Sequence, residues 1–197
     1  MTFFEWIFGQ ATIRQLQGQV KDLTMERDMW RDKAITMSSG APSNGKPPIT
    51  APVIIRELDA SADIAPLIMQ ALGIEFIIGG HCKVLSGRYH LTTISEILRF
   101  GEWAGVNKLT YNDPFHVCND FAAGVVGAML NEPDWWGIPC GMIVGLQGPL
   151  AGHDVVIVCA CESEENQTPQ LYVIEPQNNT LIQGALAPGW IDTIWMP

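Results

Sequence analysis

Cys118, His153 and Glu175 are the side chains of this 197-residue chain whose types and order suit acyl transfer. A thiolate attacks a carbonyl carbon, an imidazole takes the thiol proton, and a carboxylate holds the imidazole in one tautomer. Cys118 stands in Phe115-His116-Val117-Cys118-Asn119-Asp120-Phe121-Ala122, near the expected start of a helix. Backbone dipoles at a helix N-terminus favour an anion there. His153 follows Leu150-Ala151-Gly152 and precedes an apolar run, and Glu175 ends the run Val173-Ile174-Glu175 before Pro176-Gln177. His153 and Glu175 are 22 positions apart, but a hairpin turn centred near residue 165 would bring both to its open end.

Those positions depend on the elements that carry them. Asp63 to Leu72 reads as a short helix. Thr93 and Glu96 form a capping box ahead of Ile97, Leu98 and Phe100, so a second helix starts there. A third is expected from about Val117 to Leu130, with Phe121, Val125 and Met129 spaced by four. The period then changes. Gly141–Leu146, Asp154–Cys161 and Leu171–Ile174 are short apolar strands, and the polar stretch Glu162–Thr168 turns the last two into an antiparallel hairpin. Helices followed by strands give an α+β fold.

The motif Cys118-Asn119-Asp120-Phe121-Ala122, then Gly152-His153, then Ile174-Glu175-Pro176-Gln177, resembles the papain-like and transglutaminase-like cysteine peptidases. The set looks like the papain-like domain of fungal agglutinins of the Marasmius oreades lectin type and of related bacterial and phage domains. The resemblance covers residues 85–185 or so and not the N-terminal part. It implies a papain-like head with Cys118 as nucleophile, His153 as base and Glu175 as the orienting residue. It also makes Asp120 a candidate calcium ligand, since some relatives need calcium, although no dense carboxylate cluster surrounds it in the sequence. Papain-like enzymes place a glutamine donor six residues before the cysteine, and Asn112 has that separation. Tyr111-Asn112-Asp113-Pro114 is also an ordinary turn sequence, the preferred reading, and the Cys118 backbone N–H is the other oxyanion donor. Relatives often carry a small residue after Gly-His; here it is Asp154, expected to point outward as alternate strand residues do.

The remaining chemistry-bearing residues read as structural. Cys82, Cys140, Cys159 and Cys161 are expected as buried free thiols, with Cys159 and Cys161 on one strand face, in keeping with a reducing cytoplasm. His81, His90 and His116 show no metal-ligand spacing. Trp135-Trp136-Gly137-Ile138-Pro139 is read as a loop packed on the core ahead of a cleft floor, and Asn178 is a second candidate for the third triad position.

Ahead of the head (residues 53–197), composition marks three segments. Residues 1–9 are an apolar docking segment with Phe3, Phe4, Trp6 and Phe8, read either as a plug for a partner protein or as a cap on the stem. Residues 10–38 hold heptads, with Ile13, Val20, Arg27 and Ala34 at one position and Leu16, Leu23, Trp30 and Met37 at the other. The 3.5 period favours a self-associating coiled-coil stem, a trimer ahead of a leucine-zipper dimer because Arg27 and Trp30 sit in the seam, over a helix folded back on its own domain. Residues 39–52 form a Pro/Gly-rich linker.

Hydrophobic residues make up 47% and charged residues 16%, which excludes wholesale disorder. The net charge is −10, and residues 1–37 are balanced with five basic and five acidic residues. The head therefore carries all the excess and repels a phosphate backbone, which excludes nucleic acid as the expected partner. No apolar run is long enough for a transmembrane helix, and the N-terminus lacks the pattern of a signal peptide. Two functions are compatible with this organisation. One is a cysteine peptidase, amidase or acyltransferase head on an oligomeric stem. The other is a non-catalytic fibre or decoration protein of a phage particle, docked through its N-terminus to a capsid or tail protein after cytoplasmic synthesis.

Overall fold

A computed structural model describes residues 47–84, 87–109 and 118–197. The docking segment, the heptads, Asn112 and His116 lie outside these residues. The chain divides after Lys33, and every described residue belongs to the second unit, Ala34–Pro197.

The described chain opens with strand β1 (Arg56–Asp59), and Asp59 then caps a single π-helical turn, Ala60–Ile64. The Asp59 carboxylate accepts from the Ser61 and Ala62 N–H groups at 2.9 Å each, satisfying two donors that the turn leaves open. Helix α1 (Ala65–Leu72) follows with Pro66 in its first turn, and Gly73, at φ 84°, ends it before the short α2 (Ile74–Ile78). Strands β2 (Cys82–Val84) and β3 (Arg88–Leu91) precede α3 (Ile94–Ala104). Thr93 caps α3 by accepting from the Glu96 N–H at 3.3 Å, and Gly105 ends it in the left-handed region at φ 66°. Helix α4 (Cys118–Asn131) leads into β4 (Cys140–Gly145), β5 (His153–Ala160), β6 (Gln170–Glu175), β7 (Thr180–Leu181) and β8 (Ile191–Met196).

Six strands form one sheet in the order β2-β8-β4-β5-β6-β7, antiparallel except for the β2–β8 pair, while β1 and β3 form a two-stranded ribbon. The fold is α+β, as expected, but strands and helices interleave. β1, β2 and β3 come before α3 because Arg-Glu-Leu-Asp, Cys-Lys-Val and Arg-Tyr-His-Leu, too short and polar to show a period, pair with distant partners.

Both faces of β5 are buried. Val155, Ile157 and Cys159 join Leu58, Ile64, Ile68 and Leu91 in one core. Val156, Val158 and Ala160 are equally inaccessible, and α4 packs on β5 with Phe121, Val125 and Met129 buried outside that first core. Burial on both sides makes β5 a continuous apolar run rather than an alternating one. Past its end, Cys161 donates its N–H to Thr92 O at 3.0 Å and accepts from the Ile94 N–H at 2.8 Å, so the sheet fixes where α3 begins.

Residues 47–52 of the expected linker lie along α3. Trp103 Nε1 donates to Pro47 O at 2.9 Å, and Arg99 donates to Thr50 Oγ1 and O at 3.1 and 3.2 Å. Arg99 also pairs with Glu96 at 2.6 Å and stands over the fully buried Trp135, its guanidinium carbon 5.3 Å from the ring centroid. The loop around Trp135 is thus core packing, as its sequence suggests, while Trp136 is exposed. No helix among the described residues is long and apolar enough to cross a membrane.

Candidate active site

The β5–β6 register sets the geometry. Val156 pairs with Ile174 and Ala160 with Gln170, so the ladder is centred on residue 165. His153 begins β5 and Glu175 ends β6, on the same side of the pleat and one diagonal step apart. His153 Nε2 and Glu175 Oε2 are 2.6 Å apart, with His153 half-buried and Glu175 more deeply so. A carboxylate has no proton to give, so Nε2 donates, and in the neutral ring Nδ1 keeps the lone pair.

Both carboxylate oxygens are engaged. Glu175 Oε1 accepts the Gln177 N–H at 3.1 Å, which folds the chain back at Pro176 and fixes the carboxylate plane. The other candidate, Asn178, is occupied within the turn: its Oδ1 accepts from the Thr180 N–H at 3.1 Å and the Thr180 hydroxyl at 2.5 Å. Glu175 therefore meets the imidazole and Asn178 does not. On the other flank, His153 pairs with Gly145, and Gly152 turns at φ 65°, so no side chain crowds the imidazole from those two positions.

Cys118 is the first residue of α4 and is half-buried. No hydrogen bond joins its thiol to His153 among the described residues; the structure brings together His153 and Glu175. All five cysteines are free. Burial pushes Cys82 up to about 11 and Cys140 and Cys159 up to about 12, and it raises Cys161 as well. A thiol held protonated is a poor nucleophile; Cys140, Cys159 and Cys161 are buried as expected from the sequence, whereas Cys82 is half-buried. Cys159 and Cys161 share one face, in the same core.

Asp120 lies in the first turn of α4, and no group of three or more His, Cys, Asp or Glu side chains capable of holding a metal gathers among the described residues. Calcium takes six to eight oxygen ligands, of which the Asp120 carboxylate could supply at most two. Asp154 is half-buried beside His153 and not wholly turned to solvent. His81 donates through Nδ1 to Asp192 O at 2.9 Å, and its ring stacks on Phe76.

No protein-family model matches the chain, and no curated protein does. Solved structures do. One, the PSL1a–E64 complex, is 19% identical with a TM-score of 0.54, over 71% of this chain and 51% of the other. Another is a Polyporus squamosus lectin bound to the human-type influenza-binding epitope Neu5Aca2-6Galb1-4GlcNAc. It is 18% identical with a TM-score of 0.49, over 64% of this chain and 45% of the other. The chain spans about half the length of these structures, and the first likeness is one of fold alone.

Proposed function

We propose that the described domain is a papain-like cysteine hydrolase or acyltransferase acting on an amide or ester through Cys118. The observation that carries this reading is the 2.6 Å His153–Glu175 hydrogen bond, which commits Nε2 to the carboxylate and leaves Nδ1 to act as a base. Connectivity supports Cys118 as its partner. β4 starts opposite Val158 and ends opposite His153. A short link, Glu132–Pro139, joins α4 to the start of β4. Fourteen helical residues span roughly 21 Å, and six strand residues about 20 Å. A helix running back along β4 from that link begins at the His153 end. Alternation puts His153 on the Val155 side of the sheet, whereas α4 packs on the Val156 side. On this reading the thiol and imidazole would meet around the end of β5, past Gly145 and Gly152.

In this mechanism His153 Nδ1 takes the thiol proton and the sulfur attacks the carbonyl carbon. The tetrahedral oxyanion accepts a hydrogen bond from the Cys118 backbone N–H, with Asn112 as the side-chain alternative. Collapse breaks the bond to the leaving group, which takes the proton from the imidazolium. Water, or an amine in a transferase, then releases the acyl group from sulfur. Glu175 stabilises the transient imidazolium without itself accepting the proton.

Iodoacetamide labelling at each cysteine, located by mass spectrometry, tests the reading. Cys118 is expected to label fastest in the folded protein and to slow in His153→Ala, with E64, the compound in the PSL1a complex, captured at the same sulfur. An inert Cys118 in the folded chain removes the enzyme reading. The fold is then a platform displayed on a coiled-coil stem, as in a phage fibre or decoration protein.

A further inference from the structure

Glu175 has a flexible side chain at the end of a strand, and a carboxylate there is oriented only if its turn is held. Asn179 is the non-glycine residue with positive φ among the described residues, at 57°. Its N–H donates to Glu175 O at 2.8 Å, closing the turn that carries the carboxylate. Its amide Nδ2 reaches across to α3 and donates to Leu98 O at 2.8 Å. Gly101 makes that approach possible, since a Cβ there would overlap the Asn179 amide. A glycine inside a helix weakens it relative to alanine, and the close approach of Asn179 accounts for its presence.

We infer that Asn179, seated on Gly101, is a positioning residue for the His153–Glu175 pair: it anchors the Glu175 turn to α3 and so fixes the carboxylate against the imidazole. Its consequence at Cys118 rests on the hydrolase reading; its effect on the pair does not. α3 is itself fixed by the sheet through Thr92 and Ile94, so the anchor runs from the β5 end, through one helix, to the Glu175 turn.

The test is the ¹⁵N shifts of the His153 ring in the full chain, assigned by comparison with His153→Ala, together with the Cys118 labelling rate. Wild type is expected to show one tautomer, protonated at Nε2. Asn179→Gly keeps the positive φ and removes the amide, whereas Gly101→Ala displaces it. Both are expected to give mixed tautomers and to slow Cys118 labelling on the order of tenfold. Asp59→Ala removes a cap in a different element and is expected to leave the His153 shifts in place. The inference is overturned if Asn179→Gly retains the wild-type tautomer, or if Asp59→Ala perturbs it equally. Should Gly101→Ala fail to fold, Asn179→Gly decides, because it adds no atoms. Shifts that respond while Cys118 is inert in wild type uphold the anchor and reject the hydrolase.

Discussion

At the residue scale the site depends on one charged hydrogen bond. Replacing Glu175 with glutamine keeps the shape and one acceptor oxygen but removes the charge that stabilises an imidazolium and the second oxygen, which would become an NH2 donor. Glu175→Gln is expected to slow Cys118 alkylation by about tenfold or more while the urea midpoint changes little, as measured by labelling and denaturation on the same preparation. A rate equal to wild type would remove Glu175 from the triad. The other thiols give the contrast within the molecule: Cys140 and Cys159, with pKa values pushed up to about 12 by burial, are expected to label only after unfolding.

At the element scale the caps are the sensitive points. Thr93 starts α3, which supports both the Pro47–Thr50 strap and the Asn179 anchor. Thr93→Ala is expected to cost about 1 kcal/mol in urea unfolding, the usual value of an N-cap. Asp59 caps the turn before α1, and hydrogen bonds from Ser61 and Ala62 hold its carboxyl below the ordinary carboxylate value of 3.8. Its contribution is therefore complete above the unfolded-state value and is lost as pH falls through the lower folded-state value. The melting temperature of Asp59→Ala is expected to lie below wild type at pH 7, with the gap narrowing progressively as pH falls below 3.8. A gap that stays constant with acid would show that the carboxylate is not the cap.

At the scale of the whole molecule, we propose that the heptads of residues 10–38 assemble copies of the chain. Light scattering is expected to show an oligomer for the full chain and a monomer after removal of residues 1–38. An unchanged mass would reject the stem.

Much of the fold was legible because its signals are local. The Thr93-Glu96 cap, the four-residue spacing in α4, the apolar run of β5 and the polar turn near residue 165 each declare themselves within a few positions. That turn alone determined that His153 and Glu175 would be neighbours, because hairpin register follows from the turn and every pair then sums to the same number. The tertiary structure decided what local pattern cannot encode. β1, β2, β3 and β7 are short, and β1, β2, β3 and β8 are made by distant pairing. The segment 47–52 has a linker's composition but finds Arg99 and Trp103. Asn179 looks like one more turn asparagine, and Gly101 like a blemish in a helix. Their roles exist only because the β6–β7 turn packs on α3, a contact between residues some eighty positions apart.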